Sequence, residues 1–293
     1  MRTATRLQIL LYLTPALLLT LLFFALPLTF VGYMTFHSWD GIGPILYVGL
    51  QNITSLIHDP SFNKAFINSI IWILVGLFIH LPFALLIALI LSHRPRGWRF
   101  FRNVFVLPNV ISTTAVAFLW YFVFQVDIGL LNGILGAVGL GGLARPWLFD
   151  PHTALAATQA PFVLYIGFTM LIFLTQISTI PADYYEAARI DGASAWQIDW
   201  HITIPLVRPA VAINALFITG FCLRMFEYPF IMTSGGPMDA TLNLSLYIYR
   251  SMVTAHAYGL SMAAGSATIL LGIAVMALVF LALRRAGGRP AEA

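Results

Sequence analysis

Between two long apolar runs the chain carries EAARIDGASAWQIDWHITIP, Glu186 to Pro205. Glu186, Arg189 and Asp191 supply charges able to pair across a protein–protein contact. Ala187 and Ala188 give a low-relief surface that a partner can approach closely. Pro181 suits the first turn of a helix, with Ser178 or Thr179 as candidate caps. PADYYEAARI then runs to Gly192, a natural C-terminal glycine. Ser194 followed by Gln197 fits a capping box and starts a second short helix, AWQIDWHITI. Pro205 and Pro209 mark the return to the membrane. The chemistry on offer is mechanical: a capped helix–turn–helix presented to another protein. The competing reading is an amphipathic loop resting on lipid headgroups. Asp183, Glu186, Asp191 and Asp199 weigh against it, because an anionic inner leaflet would repel them.

A second group of candidates lies inside the apolar runs, where polar side chains mark either pathways or contacts between helices. These are Asn109, Thr113 and Thr114, then Gln159, Tyr165, Thr169 and Gln176, then Asn214, Thr219, Arg224 and Glu227. Aromatic faces stack on the rings of a solute and amides bind hydroxyls, so Phe168 and Phe221 join Tyr165 as candidate pathway residues. Pro108, Pro161 and Pro229 could each open a helix and free backbone carbonyls. Arg224 and Glu227 are three residues apart on one expected helix and so can pair. They read either as a structural pair near the external interface or as a gate or anion contact. If Arg224 met a substrate phosphate, glycerol phosphate would be a candidate cargo.

Other chemistries are excluded. The single lysine, Lys64, follows no glycine loop, so a GxxxxGK[ST] phosphate cradle does not exist here. No HExxH, CxxC, GxSxG or TVGYG occurs. The seven histidines show no ligand spacing and read as surface or packed residues, His80 among them. Cys222 is the only cysteine, so neither an internal disulfide nor a cysteine metal site is possible. No catalytic residue, metal or cofactor is expected in this chain, and it is not expected to be an enzyme.

The elements holding these residues follow from composition. The chain has 293 residues, 60% hydrophobic and 9% charged, with a mean hydropathy of +0.88. That is far too apolar for a soluble domain. The apolar runs are continuous rather than alternating, which excludes an outer-membrane barrel. Six are long enough to cross about 30 Å of hydrocarbon: roughly 9–36, 66–91, 104–126, 153–176, 209–233 and 258–283. The expectation is an all-α integral membrane protein of one transmembrane domain over 1–293, with an extramembrane loop at about 177–208. The first run is too long for a signal-peptide core and lacks a convincing cleavage site, so it should stay attached. Arg2, Arg6, Arg94, Arg96, Arg99, Arg102, Arg189, Arg208, Arg284, Arg285 and Arg289 fall on one side of this arrangement. Only Lys64, Arg145 and Arg250 fall on the other. The positive-inside rule then places both termini and the Glu186 loop in the cytosol. SWDGIGP (38–44) and TSGGP (233–237) are turn chemistry, and DPHTAL (150–155) reads as a helix start capped by Asp150. The net charge of +4 does not point to nucleic acid.

The spacing Glu186-Ala187-Ala188, three residues, Gly192, nine residues, Ile202, one residue, Ile204-Pro205 resembles the EAA loop of bacterial ABC importer permeases. The one departure is Ile204 where that family usually has leucine. YVGLQNITSLIHDPSFNKAFINSI (47–70), FRNVFVLPNVIS (101–112), AFLW (117–120), GLLNGIL (129–135) and TSGGPMDATLNLSLYIYR (233–250) resemble segments of the carbohydrate group, the one that includes the maltose transporter's larger membrane subunit. The chain lacks that subunit's two extra N-terminal spans and large external domain, so contacts made through that domain are not implied. The resemblance implies a permease subunit of an ATP-driven importer for a sugar or related polyol in a bacterial or archaeal cytoplasmic membrane. It implies coupling through Glu186, Ala187, Ala188, Arg189, Asp191, Gly192, Ile202 and Pro205 to a separate ATPase dimer, which would hold ATP and Mg. A second permease chain and an external solute-binding protein complete the implied assembly. A permease for amino acids, peptides or phosphate is disfavoured by the GGP–YIY segment. An ion-coupled secondary transporter would have more intramembrane ionisable residues and no use for such a loop. A membrane-bound enzyme would show a cluster of His, Asp or Glu at one membrane face.

Overall fold

The computed structural model describes Arg2–Ala286, with side chains from Gln8 to Leu283. Arg289, and the side chains of Arg2, Arg6, Arg284 and Arg285, lie outside the described residues. The chain is an all-α integral membrane protein. Five helices are long and apolar enough to cross a membrane: Gln8–Met34, Pro60–Ser92, Ala154–Ser178, Arg208–Thr233 and Tyr258–Leu283. The bent pair Trp98–Val110 and Thr113–Val123 completes a sixth when counted as one span. The strand pairing among the described residues is a two-residue hairpin, His37 opposite Tyr47 and Ser38 opposite Leu46.

By its contacts the chain falls into two compact units, divided at Asn63/Lys64, Leu246/Tyr247 and Leu270/Leu271. The first runs up to Asn63 and includes Tyr247–Leu270. Here the Asn52 amide donates to the carbonyls of Thr35 and His37, both at 2.9 Å, tying the end of the first span to the helix Gln51–His58. The Tyr247 hydroxyl donates to the Asp59 carboxylate at 2.6 Å. Burial and that carboxylate push the Tyr247 hydroxyl above the usual tyrosine range.

The second unit holds Lys64–Leu246 and the rest of the last helix. Its core is built on Trp72, Ile166, Met170 and Phe173, all fully buried. Some of the polar side chains inside it are matched to backbone, which supplies the partners that water cannot. The Asn68 amide donates to the carbonyls of Ala240 and Leu242 at 3.0 and 2.8 Å, fixing the segment after the GGP turn.

The helices of this unit are not straight, and proline accounts for most of the irregularity. Pro82 and Pro205 each follow a π turn, Gly76–His80 and Asp199–Thr203, in which the residue before the proline donates five residues back. A proline cannot donate four residues back, so the chain widens by one residue and keeps its remaining bonds. The expected third span, 104–126, is two helices meeting at 102°. Pro108 turns the chain into a 3-10 segment, Ile111 is extended, and the Ser112 hydroxyl accepts from the Ala115 amide to restart the helix. The fourth span runs through Pro161 and breaks one turn later, at Tyr165, before Gly167 resumes it. The fifth ends its first half at Arg224 and restarts at Glu227.

Candidate functional site

The helix breaks of the second unit converge. Pro108, Asn109 and Ile111 from the bend, Tyr165 from the fourth span and Arg224 from the fifth line one cavity of about 310 Å³. His80, the last residue of a π turn, completes the wall. Interrupted helices at a cavity are the way membrane proteins expose polar backbone and side chains to a solute without exposing them to lipid.

Each break has a local cause. Pro229 has no N–H to give to Met225, four residues earlier. The freed Met225 carbonyl takes a hydrogen bond from the Asn243 amide instead. Gly167 sits against the Phe105 carbonyl and the Asn109 amide, where a Cβ would collide with both. The fourth span can therefore approach the bend of the third only through glycine. Gly76 plays the same part beside Ile218 and Cys222.

Seven of the pathway candidates line this cavity: Asn109, Thr113, Tyr165, Phe168, Thr169, Phe221 and Arg224. Four do not. Thr114 is exposed on the other side of its helix, Gln159 and Thr219 are buried in packing, and Glu227 is half-buried away from the cavity. Arg224 and Glu227 do not share a helix, because Met225 is extended between them, and they form no ion pair. The Arg224 Nε donates to the Gly220 carbonyl at 3.2 Å, and its guanidinium lines the cavity without a carboxylate.

His80 is the residue sequence reasoning passed over. Its Nδ1 lies 2.8 Å from the Phe162 carbonyl and its Nε2 lies 3.0 Å from the Thr169 hydroxyl. A carbonyl can only accept, so Nδ1 carries the proton; on the neutral ring Nε2 then accepts from Thr169. The ring stacks on Phe162 with centroids 4.4 Å apart, and Phe162 stacks in turn on Phe221 at 5.3 Å. The signal available in the sequence was His80-Leu81-Pro82 within an apolar run, where proline forces the turn that re-aims the histidine.

The extramembrane loop forms the other candidate site. Ala182–Ile190 is a helix whose N-cap is Pro181. Ser178 and Thr179, the expected caps, instead return their hydroxyls to the carbonyls of Thr175 and Gln176 at the end of the fourth span. The helix stops in a left-handed turn at Gly192, φ +79°, with the amides of Gly192 and Ala193 on the carbonyls of Arg189 and Ala188. Ser194 and Gln197 make a complete capping box. The chain then runs helically through the π turn to Leu206. Glu186, Ala187, Arg189, Asp191 and Gly192 are exposed, while Ala188, Ile202 and Pro205 are half-buried. Ala188, Asp191, Gly192 and Ile202 line one notch beside this turn. Tyr185 and Thr203 approach at 3.5 Å, and His93 pairs with Asp199 at 2.9 Å, tying the loop to the end of the second span. The sequence reading left out Ile190, Trp196 and Trp200, which are exposed here, the two indoles stacked with centroids 5.8 Å apart.

Residues 80–287 match the family of binding-protein-dependent transport system inner membrane components. The chain belongs to that family. The matched region contains both the cavity and the loop. Among relatives of this inner membrane component is the probable ABC transporter permease protein YurN of Bacillus subtilis (strain 168). It is 33% identical, over 90% of this chain and 92% of its own. The lactose transport system permease protein LacF of Rhizobium radiobacter is 32% identical, over 82% of this chain and 81% of its own. A solved chain from a bacterial ABC transporter involved in the import of the acidic polysaccharide alginate superposes with a TM-score of 0.82. It covers 97% of this chain and 99% of that one, and at 23% identity the likeness is one of fold. Membership of this family sets aside the ion-coupled and enzymatic readings.

Proposed function

We propose that the chain is one permease subunit of an ATP-driven importer for a sugar or related polyol. It forms half of the translocation pathway and pairs with a second permease, an ATPase dimer and an external solute-binding protein. ATP and Mg belong to the ATPase, and both termini and the 177–208 loop face the cytosol. What carries this reading is the loop itself. It is capped at Gly192 and at Ser194, tied back through His93–Asp199, and exposed at Glu186, Arg189 and Asp191. Such a body transmits displacement rather than absorbing it, because packed elements shift between discrete arrangements. We assign the ATPase contact to Glu186, Ala187, Ala188, Arg189, Asp191, Gly192, Ile202 and Pro205, with Ile190, Trp196 and Trp200 extending it.

The solute contacts are assigned to the cavity. Tyr165, Phe168 and Phe221 offer ring faces, while Asn109, Thr169 and His80 offer polar groups. Relatives named for lactose, starch degradation products and diacetylchitobiose support a carbohydrate cargo. Arg224, which lines the same cavity without a carboxylate, favours a second reading in which the cargo is anionic, such as glycerol phosphate. Uptake by the reconstituted complex, with ATP enclosed and the binding protein outside, tests both. Neutral sugars accumulate under the first reading and phosphorylated polyols under the second. Accumulation without ATP would contradict both.

A further inference from the structure

A different cavity of the second unit, about 650 Å³, lies beneath the loop and beside the basic segment between the second and third spans. Arg94, Arg102 and Arg189 line it together with Leu171, Leu174 and Ile177. The guanidinium carbons of Arg94, Arg99 and Arg102 lie 5.9, 5.6 and 5.3 Å from the centre of the Trp98 ring. Three like charges gathered on one indole repel one another and call for a counter-anion. The carboxylate in the cavity wall is Asp199, and it is engaged by His93. None of the three arginines makes an ion pair among the described residues. Arg94 adopts a left-handed backbone, φ +52°, a conformation that disfavours any residue but glycine or asparagine.

Guanidinium groups and aliphatic side chains lining one cavity suit one ligand class, an amphiphile with a phosphate head. We propose that this cavity binds the phosphate headgroup of an anionic phospholipid from the adjacent leaflet, with its acyl chain along Leu171, Leu174 and Ile177. Arg94 and Arg102 come from the basic segment and Arg189 from the loop helix, so a bound headgroup bridges the two. The loop is then steadied by lipid, and the assembly becomes sensitive to the acidic-lipid content of its membrane. This goes beyond the transport reading, and binding is measured without transport, so either can fail while the other stands.

The test uses the full chain in nanodiscs of phosphatidylcholine with a minor fraction of phosphatidylglycerol. Lipid retained after extraction is counted by native mass spectrometry. The expected result is one phosphatidylglycerol per chain, selected over phosphatidylcholine. Arg94→Asn with Arg102→Gln should weaken retention by about 25-fold, taking about 5-fold for each arginine near a membrane surface. Asparagine suits the backbone at position 94, so this variant is not expected to unfold, and Arg94→Lys with Arg102→Lys should restore most of the retention. Arg96→Gln removes charge from the same segment at a residue that neither lines the cavity nor stands over Trp98, and it should leave retention unchanged. A loss of about 5-fold in that control, as any arginine near a membrane surface would give, or no preference for phosphatidylglycerol, overturns the proposal. Displacement of the lipid by inorganic phosphate would overturn the lipid assignment in favour of a soluble phosphate ligand.

Discussion

His80 Nε2 and Thr169 Oγ1 lie 3.0 Å apart, joining the second span to the half of the fourth that follows its break. The same imidazole takes the Phe162 carbonyl from the half that precedes it. One side chain therefore fixes both arms of a broken helix where it opens to the cavity. His80→Ala leaves a carbonyl and a hydroxyl without partners in a buried site, at a cost of about 1–3 kcal/mol for a group so orphaned. Thermal unfolding of the purified chain should show a lowered midpoint, and uptake should fall with it. His80→Gln, which keeps one donor, should recover part of both. An unchanged midpoint in His80→Ala would show that the break is held by other contacts.

Gly167→Ala places a methyl group against the Phe105 carbonyl and the Asn109 amide. Overpacking of this kind costs about 1–3 kcal/mol. The two breaks must separate, so the cavity changes shape and apparent substrate affinity should drop together with stability. Gly220→Ala is the matched control, since a Cβ there meets nothing within 4 Å. It should be neutral or stabilising by up to about 1 kcal/mol through helix propensity. Equal behaviour of the two variants, read by uptake KM and unfolding midpoint, would refute the close approach.

Ser194→Ala removes half of the capping box, which closes with Gln197 at 2.8 Å and 3.4 Å. The expected loss is about 0.5–2 kcal/mol of local stability. Hydrogen exchange should quicken at the amides of the second loop helix. Coupling should weaken while ATPase binding persists, because the contact residues remain and only their stiffness is lost. Unaltered exchange would mean that packing alone holds the loop.

Apolar runs carried the membrane class, and residue types at fixed spacing carried the Gly192 stop and the Ser194 box. The stop and the box are local signals: each depends on neighbours within a turn or two. The breaks were only partly visible. Pro108 and Pro229 mark theirs, but Pro161 does not, because the fourth span gives way a turn later, where Gly167 must pass the Phe105 carbonyl. Arg224 and Glu227 read as a pair on spacing, and the extended Met225 parts them. Thr114, Gln159 and Thr219 were chosen on polarity alone, which does not say which side of a helix faces the cavity. His80 was hidden for the opposite reason, since an isolated histidine in an apolar run carries no spacing signal. Only the contact with Thr169, 89 residues away, shows what it does.

The account rests on the loop acting as the part through which a separate ATPase moves this chain. The most direct measurement is ATP-driven uptake and solute-stimulated ATP hydrolysis by the reconstituted complex carrying Gly192→Asp or Glu186→Lys, with membrane insertion checked in parallel. Gly192 sits at φ +79° in open space, so an aspartate disturbs the turn without clashing with the bundle. The account predicts that both activities collapse while the chain still inserts. Uptake at the wild-type rate in both variants would contradict it.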